Sequence, residues 1–115
     1  MSRIKRKGVA AKLRRNAPLF AAMGDETRLT LLMKLSDGSL LSITRLTQGS
    51  TLTRQAITKH LRVLEDAGLV RGVRRGRENL FQLEQSSLKE ARKALDHISR
   101  QWDHALARLK SFVER

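Results

Sequence analysis

From Leu88 to Phe112 the apolar residues Leu88, Ala91, Leu95, Ile98, Trp102, Ala105, Leu109 and Phe112 recur at intervals of 3, 4, 3, 4, 3, 4 and 3. Alternating steps of three and four keep a seam on one side of a helix, the repeat along which two helices pack over their whole length. At a rise of ~1.5 Å per residue the stretch spans roughly 37 Å. The chain has only 115 residues, one domain's worth, and offers few other elements to cover so long a stripe. Pairing with a second copy of the chain is the expected use, and a long helix lying on its own domain is the alternative. Leu106 and Val113 widen the stripe near its end, so that part has room to touch its own domain as well. Ser87 and Glu90 read as a capping box opening this helix, which the pattern places over residues 87–113.

Charge is the second constraint. Lys and Arg number 24 against 11 Asp and Glu, a net charge of +13. Such a surface seeks polyanions, nucleic acid or an anionic membrane. Only four aromatic residues are present, Phe20, Phe81, Trp102 and Phe112, which counts against single-strand or RNA modules built on stacked rings. Duplex DNA is the better candidate. No apolar run approaches the ~18 residues of a membrane span. The absence of cysteine excludes a disulfide scaffold, a thiolate metal site and a cysteine nucleophile together. Seven basic residues and no acid fall within residues 1–15 (Arg3, Lys5, Arg6, Lys7, Lys12, Arg14 and Arg15), without the apolar run of a secretory signal behind them. They read as a flexible basic arm, touching phosphates or a minor groove beside the main contact, or else a solvated tail. The folded domain then covers 16–115.

Punctuation divides the middle of the chain. Asn16 or Ala17 with Pro18 starts a short helix through Met23, and Gly24 ends it. Asp25 caps a second helix running to about Ser36, with Leu29, Leu32, Met33 and Leu35 at helical spacing. Asp37-Gly38 makes a turn, Leu40 and Leu41 a short strand, and Ser42 caps a third helix stopped by Gly49. Thr53 caps a longer helix over 53–67, closed by Gly68, with Ile57, Leu61 and Leu64 on one face. Two short helices joined by a glycine-containing turn form a helix-turn-helix. Residues Leu69–Val73 and Asn79–Leu83 flank Arg74-Arg75-Gly76-Arg77 as a β-hairpin, a wing. The expected fold is mostly α with a small β-hairpin, a winged helix-turn-helix with a long C-terminal dimerisation helix.

Burying Ile57, Leu61 and Leu64 turns Arg54, Gln55, Thr58, Lys59 and Arg62 outward, beside Thr53. Gln bonds an adenine edge twice, Arg does the same to guanine, and a Thr methyl packs on thymine. Lys59 and Arg62, further along, suit phosphates. The alternative is a solvated helix face. At the hairpin tip Arg74, Arg75 and Arg77 repel one another unless an anion meets them, and Glu78 tempers them slightly. His60 reads as a partly buried structural histidine. Asp96, His97, Asp103 and His104 recur at seven-residue intervals, but ligands two turns apart stand ~10 Å from each other, too far to share one ion within a chain. No catalytic residues, metal site or cofactor are assigned, and an enzyme is the least favoured class.

The segment Leu19-Phe-Ala-Ala-Met-Gly-Asp-Glu-Thr-Arg-Leu-Thr-Leu-Leu, with Thr53-Arg-Gln-Ala-Ile-Thr-Lys-His-Leu-Arg-Val-Leu-Glu-Asp-Ala-Gly-Leu-Val and the hairpin Arg71–Leu83, resembles the ArsR family of bacterial winged-helix repressors. The resemblance covers roughly Ala17 to Phe112. It implies a cytoplasmic, nucleoid-associated homodimer joined by its terminal helices, a helix from Thr53 entering the major groove, and operator binding relieved by an inducer. Where metal-sensing members carry a cysteine pair this chain has Ile43-Thr-Arg-Leu-Thr, and its tail Ile98-Ser-Arg-Gln-Trp-Asp-His-Ala-Leu-Ala-Arg-Leu-Lys-Ser-Phe-Val-Glu is similar to a branch without those ligands. The resulting expectation is a dimeric, sequence-specific transcription regulator, a repressor on a palindromic operator. Its rivals are a non-specific architectural DNA-binding protein and a metal-responsive repressor using the Asp/His pairs of the last helix.

Overall fold

The computed structural model describes residues 3–114, with side chains described for residue 8 and from residue 10 onward. In chain order it contains α1 (Arg3–Met23), α2 (Glu26–Lys34), β1 (Leu41–Ser42), α3 (Ile43–Thr47), α4 (Arg54–Asp66), β2 (Val70–Arg75), β3 (Glu78–Leu83) and α5 (Gln85–Val113). The strands form an antiparallel sheet in the order β1-β3-β2, with Leu41 opposite Phe81 and Val70 opposite Leu83. One core joins the elements: Leu31, Leu35, Leu46, Ile57, Leu61, Leu64 and Leu69 are each nearly inaccessible, and Phe81 and Leu83 close it from the sheet. The reading of α4 from its three apolar positions therefore stands, as does its Thr53 cap, whose Oγ1 accepts the Ala56 N–H at 3.1 Å.

Three local expectations give way. The helix expected from Asn16 or Ala17 begins at Arg3, so the basic segment is helical from that residue on, while Met1 and Ser2 lie outside the described residues. Lys, Arg and Ala are good helix formers, and α1 packs along α5. Pro18 has no N–H to offer the Arg14 carbonyl, but burial of Leu19 and Ala22 holds the last turns against the core. The box at Ser87 does not form. The α5 helix starts two residues earlier, at Gln85, and the Ser87 hydroxyl donates to the Gly68 carbonyl at 2.6 Å, fastening α5 to the end of α4. The third change concerns α2, which buries Leu31, Leu32 and Leu35 and leaves Leu29 and Met33 outside.

Two cations stitch the first helices together. Arg28 Nε donates to the Ala22 carbonyl at 2.6 Å, at the end of α1. Lys34 Nζ donates to the carbonyls of Leu46 (3.1 Å) and Gln48 (3.0 Å), at the end of α3. Helix C-termini leave carbonyls without intrahelical partners and carry partial negative charge, so a cation there satisfies both. Replacing Lys34 by Met should lower stability by about 1–2 kcal/mol, read as an earlier urea midpoint with an unchanged m-value.

Asp25 caps α2, its carboxylate accepting the Arg28 N–H at 3.0 Å. That bond is the main cause holding its carboxyl below the usual carboxylate value of 3.8, partly opposed by desolvation and helped by the Arg28 guanidinium and His60. Because the folded-state value is the lower one, the charged cap stabilises the fold above 3.8 and the contribution disappears as pH falls through the folded value. Asp25→Asn should keep the cap at neutral pH and remove this part of the acid sensitivity. Urea midpoints of the two proteins at neutral pH and well below 3.8 check the difference.

Candidate nucleic-acid interface

Helix α3 and the N-terminal half of α4 form the walls of an open concavity of about 500 Å³. It brings together all six residues predicted on this helix: Thr53, Arg54, Gln55, Thr58, Lys59 and Arg62, with Ile43 of α3 opposite. Five of the six are exposed and Thr58 is half-buried. Two hydroxyls are already engaged. Thr53 Oγ1 accepts the capping N–H, which leaves its proton to offer a phosphate. Thr58 Oγ1 donates to the Arg54 carbonyl at 2.7 Å, a bond that leaves its methyl for apolar contact. The rim is cationic through Arg54, Lys59 and Arg62, and the groups between are neutral and able to read base edges.

His60 lies on the inner side of the same helix, its Nδ1 3.7 Å from Asp25 Oδ2 and 3.5 Å from Arg28 Nη1. These contacts set α4 beside the start of α2.

The wing arginines stand outside this concavity, at the hairpin tip, where Gly76 has φ +61° and Arg77 completes a two-residue turn between Arg75 and Glu78. A positive φ at the first turn position is what glycine supplies most cheaply. The strands are longer than the spacing predicted, and their register separates the three arginines. Arg74 stands across from Asn79, whereas Arg75 stands directly across from Glu78, the acid beside the tip.

Two side-chain latches that the sequence did not announce hold the wing. Strand β2 is a sheet edge, and at its middle the Gly72 N–H donates to Glu65 Oε2 of α4 at 3.0 Å. A Cβ at Gly72 would come within 2.9 Å of that oxygen, so glycine here admits the carboxylate. On the other face Arg71 donates twice to Gln82 Oε1, at 3.2 and 2.7 Å, and Gln82 Nε2 donates to the Gly38 carbonyl at 2.9 Å. The only sequence signal for the first latch was an acid near the end of α4 and a glycine inside a strand pattern.

The predicted stripe of α5 is divided. Leu88 and Ala91, expected against a second chain, are taken by the chain's own core, because α5 crosses α1 here and buries Ala91 and Ala94. Beyond that crossing Leu95, Ile98, Trp102, Leu106, Leu109, Phe112 and Val113 are all exposed, Trp102 by 65% and Phe112 by 74%, while Ala105 is half-buried. Asp96, Asp103 and His104 are exposed, and His97 faces α1. Among the described residues no three His, Asp or Glu side chains gather to hold one metal ion. Among them, too, no helix is long and apolar enough to cross a membrane.

A short three-stranded sheet whose hairpin follows the second helix of a helix-turn-helix, with a cationic outer face on that helix, defines a winged helix-turn-helix DNA-binding regulator. The family pattern described as bacterial regulatory protein, arsR family, matches residues 25–71. An uncharacterized HTH-type transcriptional regulator, YuzN of Bacillus subtilis, is 42% identical over 77 residues, 62% of this chain and 84% of that one. An ArsR-like transcriptional regulator from Rhodococcus sp. RHA1 superposes with a TM-score of 0.74 at 35% identity, covering 89% of this chain and 95% of the other. The transcriptional regulator HlyU of Vibrio vulnificus gives 0.65 at 26% identity, over 82% and 97%. The chain belongs to the ArsR family, whose members are DNA-binding transcriptional regulators and not enzymes.

Removing the wing latch should be visible directly. In Glu65→Ala the Gly72 amide loses its acceptor at an unpaired strand edge, and its hydrogen exchange should accelerate about tenfold, as ~1.4 kcal/mol implies, while the amides of α2 keep their rates.

Proposed function

We propose that the protein is a homodimeric repressor that reads a palindromic operator through α4 and steadies the complex with its wing. The observation that carries this reading is the coexistence, in one small domain, of an exposed reading face and an exposed apolar stripe on α5 beyond residue 94. Pairing along that stripe sets two copies of α4 in successive major grooves, ~34–36 Å apart, and two-fold symmetry of the protein becomes two-fold symmetry of the site. Repression follows from occupancy of a promoter by such a dimer. An architectural protein binding any duplex would need the charge but neither the neutral Gln55 and Thr58 between the cations nor a fixed spacing of two reading heads.

In this arrangement Gln55 and Arg54, at the first turn of α4, meet base edges. Lys59 and Arg62 meet phosphates, and Arg74, Arg75 and Arg77 carry the wing's attraction for the backbone. Selection of duplexes from a random library tests the reading. A recovered palindrome with half-sites about one helical turn apart is the expected result, and recovery of unrelated sequences contradicts it.

Two variants refine the assignment. Gln55→Ala should lose discrimination at one base pair of each half-site, worth ~1–3 kcal/mol, and equal weakening on every duplex would refute its role. Arg74→Ala and Arg75→Ala should each weaken binding to all duplexes and make the salt dependence shallower by about 0.9 per protomer in log–log slope.

A further inference from the structure

Where α1 crosses α5 the two helices do not close completely. They leave a partly enclosed cavity of about 230 Å³, remote in sequence from the reading face and lined from α1 by Lys12, Leu13 and Asn16. From α5 it receives Ala94, His97 and Arg100, together with the Glu90 and Lys93 pair. The charge balance of this crossing is unusual. The α1 side belongs to the segment that carries seven basic residues and no acid through Arg15, and the α5 side adds Lys93 and Arg100. Glu90 is the one acid lining the cavity, and it lies 3.7 Å from Lys93 Nζ. Three cations, Lys12 from α1 and Lys93 and Arg100 from α5, thus line a space with one carboxylate, already beside a lysine. Like charges held together across a recess repel, and an anion in the recess turns the repulsion into attraction.

We infer that this cavity is a binding site for a small organic carboxylate, held by Lys12 and Arg100. The guanidinium of Arg100 offers the paired donors that match a carboxylate's two oxygens, and the Lys12 ammonium supplies a second positive charge from the facing helix. The Asn16 amide and the His97 ring add donors at the rim. Leu13 and the buried Ala94 provide an apolar floor, which a bare inorganic anion would leave unused. The volume lies below the ~300 Å³ at which drug-sized ligand sites begin, so the occupant is a small acid. Helix α1 packs on α4 as well as on α5, which puts the occupant one helix away from the reading face. An effect on DNA binding would rest on the regulator reading above; the site itself does not.

The test is made on the full chain without DNA, so that its failure and that of the DNA-binding reading are separate results. Benzoate serves as the probe, benzamide as its neutral counterpart and inorganic phosphate as the bare anion, each followed by the backbone amide resonances of Leu13, Ala94 and His97. A saturable response to benzoate in the millimolar range, absent with benzamide and weaker with phosphate, is expected. In the double variant Lys12→Gln, Arg100→Gln the benzoate affinity should fall at least tenfold. Both residues are exposed, so the fold survives their exchange, and the unchanged resonances of α4 verify it. No saturable response to benzoate, a response indifferent to the double variant, or an equal response to benzamide or phosphate would overturn the assignment.

Discussion

A 29-residue helix that emerges from a small domain with its apolar stripe uncovered is the constraint on which the architecture turns. The molecule extends 65 Å along its longest axis against 30 and 21 Å across the others. Fully burying each large apolar side chain is worth ~1.5–3 kcal/mol, and roughly half of each stripe residue is still exposed. Two copies pairing from Leu95 to Phe112 therefore have on the order of 10 kcal/mol to gain, within the ~4–15 kcal/mol that association costs. Most of the stripe has to engage at once. In the proposed dimer a contact along the whole stripe fixes the orientation of two reading heads.

The division of α5 into an inner and an outer segment follows from side-chain size. At Ala91 and Ala94 the helix surface is shallow enough for α1 to lie close, and the stripe is consumed internally. Past that point the stripe grows bulky with Leu95, Ile98 and Trp102, which are exposed among the described residues. Anchoring at the other end is equally local: Ser87 fastens α5 to Gly68, and Glu65 fastens the wing to α4. The outer segment of α5, helix α4 and the wing are thereby linked to one another, as the proposed dimer needs if spacing between half-sites is to matter.

Much of this was legible before any coordinates. Helix α4 declared itself through Ile57, Leu61 and Leu64 between a threonine cap and Gly68, and the hairpin through alternating residues around Gly76. What escaped the sequence depended on partners distant along the chain. The helical state of Arg3–Arg15 is supported by the crossing with α5, so residues 1–15 in isolation read as an arm. Ala91, read as part of the stripe for a second chain, is instead buried in the chain's own core with Leu88 half-buried against it, since a heptad pattern records which side is apolar and not what lies against it. Lys34, Glu65 and Gln82 carried no expectation, because each bonds to backbone groups distant along the chain, to which no sequence pattern points.

The most direct measurement is sedimentation equilibrium of the full chain, together with the variant Leu106→Glu, Leu109→Glu, whose substituted side chains lie on the outer stripe. The account predicts that the native protein sediments at twice its 13.1 kDa chain mass, with Trp102 fluorescence shifted to the blue of an exposed indole, and that the variant returns to a single chain while keeping its helical content. A native protein that stays at 13.1 kDa throughout the micromolar range, with Trp102 in water, would contradict it.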